Sequence, residues 1–248
     1  MHQLAKSFGG KWAVAGIDLA IPRGSFFGLV GPNGAGKTTS LRMMTGLLRP
    51  DHGRVVIDGL DVWHDPVKAK TKIGILTEDV RLFDRLTGLE LLTYNGLLRQ
   101  MDPAVVRARA AELLDVLGLA ESGGVMVVDY SQGMKKKIGL ACALLHGPPV
   151  LFLDEPFESV DPVSSRTIRS VLERATEAGT TVVFSSHVME TVERLCDQVA
   201  VLNAGQVVAA GDMEEVRDGR SLEDAFFTLV GALPDDDSRL SWLGTSSS

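Results

Sequence analysis

The sequence predicts an α/β fold, and three observations carry that expectation. Strand-like segments alternate with helix-like ones along most of the chain. One apolar run, residues 25–30, leads straight into a glycine-rich loop and a helix-like segment. A second run, Val150-Leu151-Phe152-Leu153, is apolar at every position and ends in Asp154-Glu155-Pro156. That is the pattern of a buried strand delivering acidic side chains at its carboxyl end, where open α/β sheets place their ligands.

Taken in order, residues 25–30 read as a strand entering a turn, and 37–48 as a helix stopped near Gly46 and Pro50. In 53–62, Val55 and Ile57 lead into an Asp58-Gly59 turn, a hairpin signal. Residues 73–76 form a short apolar strand. The middle, about 83–146, reads as helical throughout. Within it, Thr87 and Glu90 make a capping box, Asp102-Pro103 starts a second helix, and Gly118 stops it. The alternation then resumes with a strand over 150–153, a helix over 163–178 ended by Gly179, a strand over 181–184 and a helix over 188–195. A hairpin over 198–210 turns at Ala204-Gly205. After Pro234, three aspartates and a terminal Thr-Ser-Ser-Ser read as a solvated, flexible end over 234–248.

Composition bounds the function. A chain of 248 residues suits one domain with a subdomain, and 45% hydrophobic residues build an ordinary core rather than a disordered chain. The formal charge of −7 argues against a broad basic surface for nucleic acid or for an anionic bilayer. Cys142 and Cys196 fall in no Cys-x-x-Cys or Cys/His grouping, so reduced thiols are expected and a Cys-based metal site is not. No apolar run approaches the ~20 residues needed to span a bilayer, and no signal-peptide pattern opens the chain. Direct membrane insertion is therefore not expected, and a role at a membrane has to come through a partner that spans it.

The strongest chemical signal is Gly31-Pro32-Asn33-Gly34-Ala35-Gly36-Lys37-Thr38-Thr39, which fits G-x-x-x-x-G-K-[ST] between a strand and a helix. Such glycines let backbone N–H groups converge on a phosphate, and the helix that follows points its positive end there. Lys37 supplies a point charge to the β- and γ-phosphates of a nucleotide, and the Thr38 hydroxyl can ligate Mg²⁺. Asp154, at the end of the apolar strand, can hold Mg²⁺ through water. Glu155 can accept a proton from an attacking water, which suits hydrolysis better than transfer to a second substrate.

Tyr130-Ser131-Gln132-Gly133-Met134 opens a helix ahead of the acidic strand, and its Ser-x-Gly core resembles the signature motif of ABC ATPases, usually written Leu-Ser-Gly-Gly-Gln. A Ser hydroxyl and a Gly N–H at a helix N-terminus make an anion-binding corner, and the resemblance implies that this corner completes the ATP site of the opposite subunit. By the same resemblance, Asp161 sits where the family's D-loop aspartate falls and His187, after Ser185-Ser186, where its switch histidine falls. Phe8 sits where an aromatic ring stacks on adenine. The resemblance covers roughly residues 4–230 and implies a RecA-like, P-loop core sheet with an antiparallel β subdomain. An α-helical subdomain would be inserted at about 82–145. The implied cofactors are ATP and Mg²⁺. The implied partners are a transmembrane permease subunit and a second ATPase copy in the ATP-bound state, with the chain on the cytoplasmic face of the membrane.

The sequence departs from the family pattern in three places. Glu78 stands where the family has Gln and is expected to reach Mg²⁺ as a carboxylate. Gln132 and Met134 replace a Gly and a Gln of the signature, while Ser131 and Gly133 are retained. The chain starts only a few residues before Phe8, where the family has a first strand, so the expectation is a truncated N-terminus or a misplaced start codon. Phe26-Phe27-Gly28-Leu29-Val30 before the loop and Met134-Lys135-Lys136 after the signature look most like bacterial drug-export ATPases. Two other readings follow from the same residues. One is a soluble ABC ATPase clamp acting on nucleic acid or the ribosome. The other is a nucleotide-gated module that hydrolyses poorly because of Glu78.

Overall fold

The computed structural model describes residues 1–231, so the tail expected over 234–248 lies outside the described residues. The chain opens on an antiparallel pair, β1 (His2–Phe8) and β2 (Lys11–Ile17). Seven residues form this first strand, and they pair on both sides. Strand β3 (Phe26–Val30), buried at every residue, runs through the 31–36 loop into α1 (Lys37–Met44). β4 (His52–Arg54) returns to pair with β1, and β5 (Val56–Ile57) and β6 (Leu60–Asp61) form the small hairpin turning at Asp58-Gly59. α2 (Pro66–Thr71) then leads to β7 (Ile73–Leu76).

The central segment contains α3 (Gly88–Leu98), α4 (Pro103–Val116) and α5 (Gln132–Leu144), which pack on one another. Thr87 and Glu90 close a reciprocal capping box on α3, and Asp102 accepts from the amides of Ala104 and Val105 to cap α4. The expectation of continuous helix over 83–146 does not hold. Between α4 and α5 the chain runs through turns and one short 3₁₀ segment, Val127–Asp129. Gly118, Gly123 and Gly124 fall there, and glycine is costly in a helix and permissive outside one.

The remaining elements are β8 (Val150–Asp154), α6 (Pro162–Glu177), β9 (Thr181–Ser186), α7 (Met189–Leu195), β10 (Gln198–Asn203), β11 (Gln206–Asp212), α8 (Met213–Arg217) and α9 (Leu222–Val230). They complete a six-stranded sheet of order β11-β10-β3-β9-β8-β7, parallel except for the β10–β11 hairpin.

Period-two alternation splits this sheet's apolar residues between two cores. Phe26, Val30, Leu151, Leu153, Val182 and Phe184 face the helical side, with Ile138 and Leu140 of α5 and Ile168, Val171 and Leu172 of α6. Phe27, Leu29, Phe152 and Val183 face the other side, with Leu41 and Met43 of α1 and Leu4 and Val14 of the β1–β2 hairpin. Both faces are covered, which is why the strands read as unbroken apolar runs. Each fully buried side chain of this kind contributes about 1.5–3 kcal/mol. The carboxyl ends of β3, β8 and β9 lie side by side, with Val30 opposite Ser186 and Asp154 opposite Ser185. The candidate site is built on that edge. Both cysteines are free, and burial pushes the Cys142 thiol up to about 12 and Cys196 well above its ordinary value.

Candidate nucleotide site

The loop after β3 takes its shape from two close approaches. A side chain on Gly31 would strike the Leu202 carbonyl, and one on Gly36 the Ala13 carbonyl. Both residues also have positive φ, at 153° and 103°. The loop is pinned from outside by the Gly205 amide, which donates to the Ala35 carbonyl at 3.0 Å. Pro32, Asn33 and Gly34 are left exposed at its crown, while Ala35 is buried beneath. Lys37 opens α1 and folds back over the loop, its Nζ donating to the carbonyls of Gly31 (2.7 Å) and Pro32 (3.3 Å). Burial pushes the Lys37 ammonium below its ordinary value, opposed by the charges of Glu155, Asp154 and Glu78.

Thr38 and Asp154 meet next to this cradle. The Thr38 hydroxyl donates to Asp154 Oδ1 at 3.2 Å, and the same oxygen accepts from Ser185 Oγ at 2.6 Å. Ser185 Oγ in turn accepts from the Glu155 amide at 3.0 Å. This fully buried serine therefore ties two adjacent acidic residues to β9. Its position followed from nothing but strand register, and the sequence showed it only as the residue two before His187.

Glu155 has φ +46°, a left-handed conformation that costs a non-glycine residue about 1–3 kcal/mol and persists only where the surroundings over-determine it. Its amide is held by Ser185, and two residues on Phe157 packs edge-on against Phe184 at 5.8 Å. The Glu155 side chain is 10% exposed, with Oε1 lying 3.1 Å from His187 Nδ1 and 3.8 Å from Lys37 Nζ. Burial raises its carboxyl above the ordinary glutamate value, against the pull of His187 and Lys37 in the other direction. A carboxylate held in this way is a stronger proton acceptor than a solvated one.

The structure thus brings Gly31, Lys37, Thr38, Asp154, Glu155 and His187 together. Glu78 reaches this group as a charge felt by Lys37, with its own side chain exposed at the end of β7. A second cluster contains Ser131, Gly133 and Asp161. Ser131 caps α5, accepting from the Met134 amide at 3.2 Å, and is exposed. A Cβ on Gly133 would lie 2.8 Å from Asp161 Oδ2 and 2.9 Å from Ser164 Oγ. Asp161 caps α6 through the amides of Val163 and Ser164, and these bonds, the Ser164 amide foremost, hold its carboxyl below the ordinary range. Among the described residues no hydrogen bond links the second cluster to the first. Phe8 ends β1 with its ring 52% exposed and Lys6 Nζ 5.7 Å from the ring centroid.

Thr38, Asp154 and Glu78 are all oxygen donors, as Mg²⁺ requires. Among the described residues no three His, Cys, Asp or Glu side chains converge into a cage. That donor set fits an ion which takes one or two protein oxygens and completes its shell with water and phosphate.

A family model described as "ABC transporter" matches residues 14–158, more than half of the chain. The chain is 38% identical over 210 residues to the linearmycin resistance ATP-binding protein LnrL of Bacillus subtilis (strain 168), covering 85% of this chain and 68% of that protein. It is also 38% identical over 212 residues to the daunorubicin resistance ATP-binding protein DrrA3 of Streptomyces coeruleorubidus, covering 86% and 67%. Among solved structures it is similar to the dimeric post-hydrolysis state of the ATP-binding cassette MJ0796 bound to ADP and Pi. That match has a TM-score of 0.78 at 26% identity, over 86% of this chain and 97% of the other.

Proposed function

The chain belongs to the ABC transporter family, as an ATP-binding and ATP-hydrolysing subunit, and on that premise we propose that it powers an exporter through ATP-driven closure of a dimer. The observation that carries the assignment of roles is the placement of Glu155 Oε1 between His187 and Lys37, one residue after the carboxylate that meets Thr38. In this reading the 31–36 loop and the first turn of α1 cradle the phosphates, and Lys37 exchanges its bonds to the Gly31 and Pro32 carbonyls for bonds to β- and γ-oxygens. Thr38, Asp154 and Glu78 would hold Mg²⁺, which neutralises charge on the phosphates. Glu155 takes a proton from the attacking water, and His187 fixes the orientation of that carboxylate. Phe8 offers its exposed ring to the adenine.

The exposed Ser131 at the α5 N-terminus shares no hydrogen bond with the 31–36 loop among the described residues, and we assign it to the ATP of a second copy paired head to tail. Asp161, packed against Gly133, lies at the same interface. Among the described residues no helix is long and apolar enough to cross a membrane. Closure would act on a transmembrane permease, which would hold the subunit at the cytoplasmic face. The direction of transport is taken from relatives named for drug resistance.

Affinity purification of the chain from detergent-solubilised membranes of its source cells is expected to retrieve a protein with several membrane spans. Recovery of ribosomes or nucleic acid in its place, with the membrane fraction empty, would turn the reading to a soluble clamp.

A further inference from the structure

Five residues into α5 from the signature serine, Lys136 is 6% exposed, an unusual place for an ammonium. Its Nζ donates to two backbone carbonyls, Glu78 at 3.1 Å and Glu155 at 3.1 Å. These acceptors come from two different loops, one after β7 and one after β8, and each belongs to a residue already placed in the nucleotide site. Burial lowers the ammonium below its ordinary value, opposed by Glu158, Glu78, Asp154 and Glu155, all of which surround it. A buried cation is costly unless it is hydrogen-bonded, and Lys136 finds its two carbonyl acceptors only where the two loops converge.

Two contacts show that α5 is seated without slack against the loop after β7 and the start of α6. A Cβ on Gly139 would lie 2.7 Å from Leu76 Cδ1 and 2.9 Å from Val80 Cγ1, on either side of Glu78 in the chain. At the other end, Gly133 has the same tight fit against Asp161 and Ser164. Glu155, for its part, is in the left-handed conformation, its amide fixed by Ser185 and its carbonyl by Lys136. Main-chain bonds on both sides of one strained residue determine where its carboxylate points.

We propose that Lys136 is a positioning residue for hydrolysis: it locks the Glu155 and Glu78 loops onto the helix that presents Ser131. Lys136 touches no reacting atom in this account. It holds Glu155 at the geometry for proton abstraction, and it makes the signature helix and the carboxylate one mechanical unit. The proposal rests on the function proposed above. Since Ser131 serves the partner's ATP in that reading, each α5 would tie the closure of one ATP site to the geometry of the other.

The test separates kcat from nucleotide binding in K136M, K136Q and K136R. K136M keeps the apolar stem and removes the donors, and K136Q packs as a shorter, uncharged side chain. Both are expected to lose about 10- to 100-fold in kcat, while affinity for a non-hydrolysable ATP analogue stays within about twofold. K136R, which keeps charge and donors, is expected to recover a substantial part of the loss. Loss of affinity in parallel with kcat, or equal damage in all three variants, would reduce Lys136 to packing and overturn the proposal. If K136M does not fold, K136Q against K136R decides by the same criterion. E155Q measured alongside tells the two readings apart. Normal turnover in E155Q sinks the general-base assignment itself, whereas an inactive E155Q beside a fully active K136M sinks only the role of Lys136.

Discussion

Glu155→Gln is expected to bind ATP with unchanged affinity and to lose steady-state hydrolysis by about 10²-fold or more. The amide is nearly isosteric with the carboxylate, so the Ser185 and Lys136 bonds to the Glu155 main chain persist and the loop keeps its shape. What disappears is the proton acceptor. Glu155 suits that task because burial raises its carboxyl while His187 at 3.1 Å keeps the charged form accessible. With hydrolysis blocked and binding intact, ATP should accumulate in a closed dimer, seen as a doubling of mass on size exclusion in Mg-ATP. Turnover at the wild-type rate under saturating Mg-ATP would remove Glu155 from the mechanism.

Lys37→Ala is expected to fail one step earlier. The ammonium is 6% exposed and folded over the loop, so its present partners are main-chain carbonyls that a nucleotide's phosphates would replace. Charge-assisted bonds of this kind are worth about 1.5–3 kcal/mol, so ATP affinity should fall by about 10- to 100-fold, and hydrolysis with it. The fold should survive. Alanine is the best helix former, and α1 is anchored by Leu41, Met43 and Met44, which are buried in the core with β1 and β2. Calorimetric titration with unchanged affinity would place the nucleotide elsewhere.

Much of this site was legible in the sequence because its chemistry is local. The phosphate loop, the Asp154-Glu155 strand end, the Thr87–Glu90 box and the Asp102 cap are each complete within a few neighbouring residues, and the structure forms each of them. The turn pairs Asp58-Gly59 and Ala204-Gly205 both adopt positive φ, as their hairpins require. The misses are of the opposite kind. β1 and β2 carry an interrupted apolar pattern, with Trp12 and Phe8 exposed, and are stabilised by pairing with each other and with β4. The turns between α4 and α5 were hidden by apolar residues such as Leu119 and Val127, which are buried there without being α-helical. Ser185 and Lys136 act on residues far away in the chain, and only strand register and the seating of α5 bring them to Asp154, Glu155 and Glu78. Read alone, three consecutive lysines look like a solvated face, yet two of them, Lys136 and Lys137, are buried.

The central claim is that each ATP lies between the loop of one copy and Ser131 of another, and mixing two inactive variants tests it most directly. Ser131→Arg places a long cation at an exposed helix N-terminus and removes the bond to the Met134 amide, at a cost of about 1 kcal/mol in capping. Alone, it should form homodimers with two damaged sites, as should Lys37→Ala. In a mixed dimer both lesions fall in one composite site, and the other combines an intact loop with an intact signature. ATPase activity is expected to return on mixing in proportion to the heterodimer formed, measured at a protein concentration high enough to drive pairing. If Ser131 served its own chain's nucleotide, every site in the mixture would carry a lesion. Background activity in a sample shown to contain heterodimers is the result that contradicts the trans-site account.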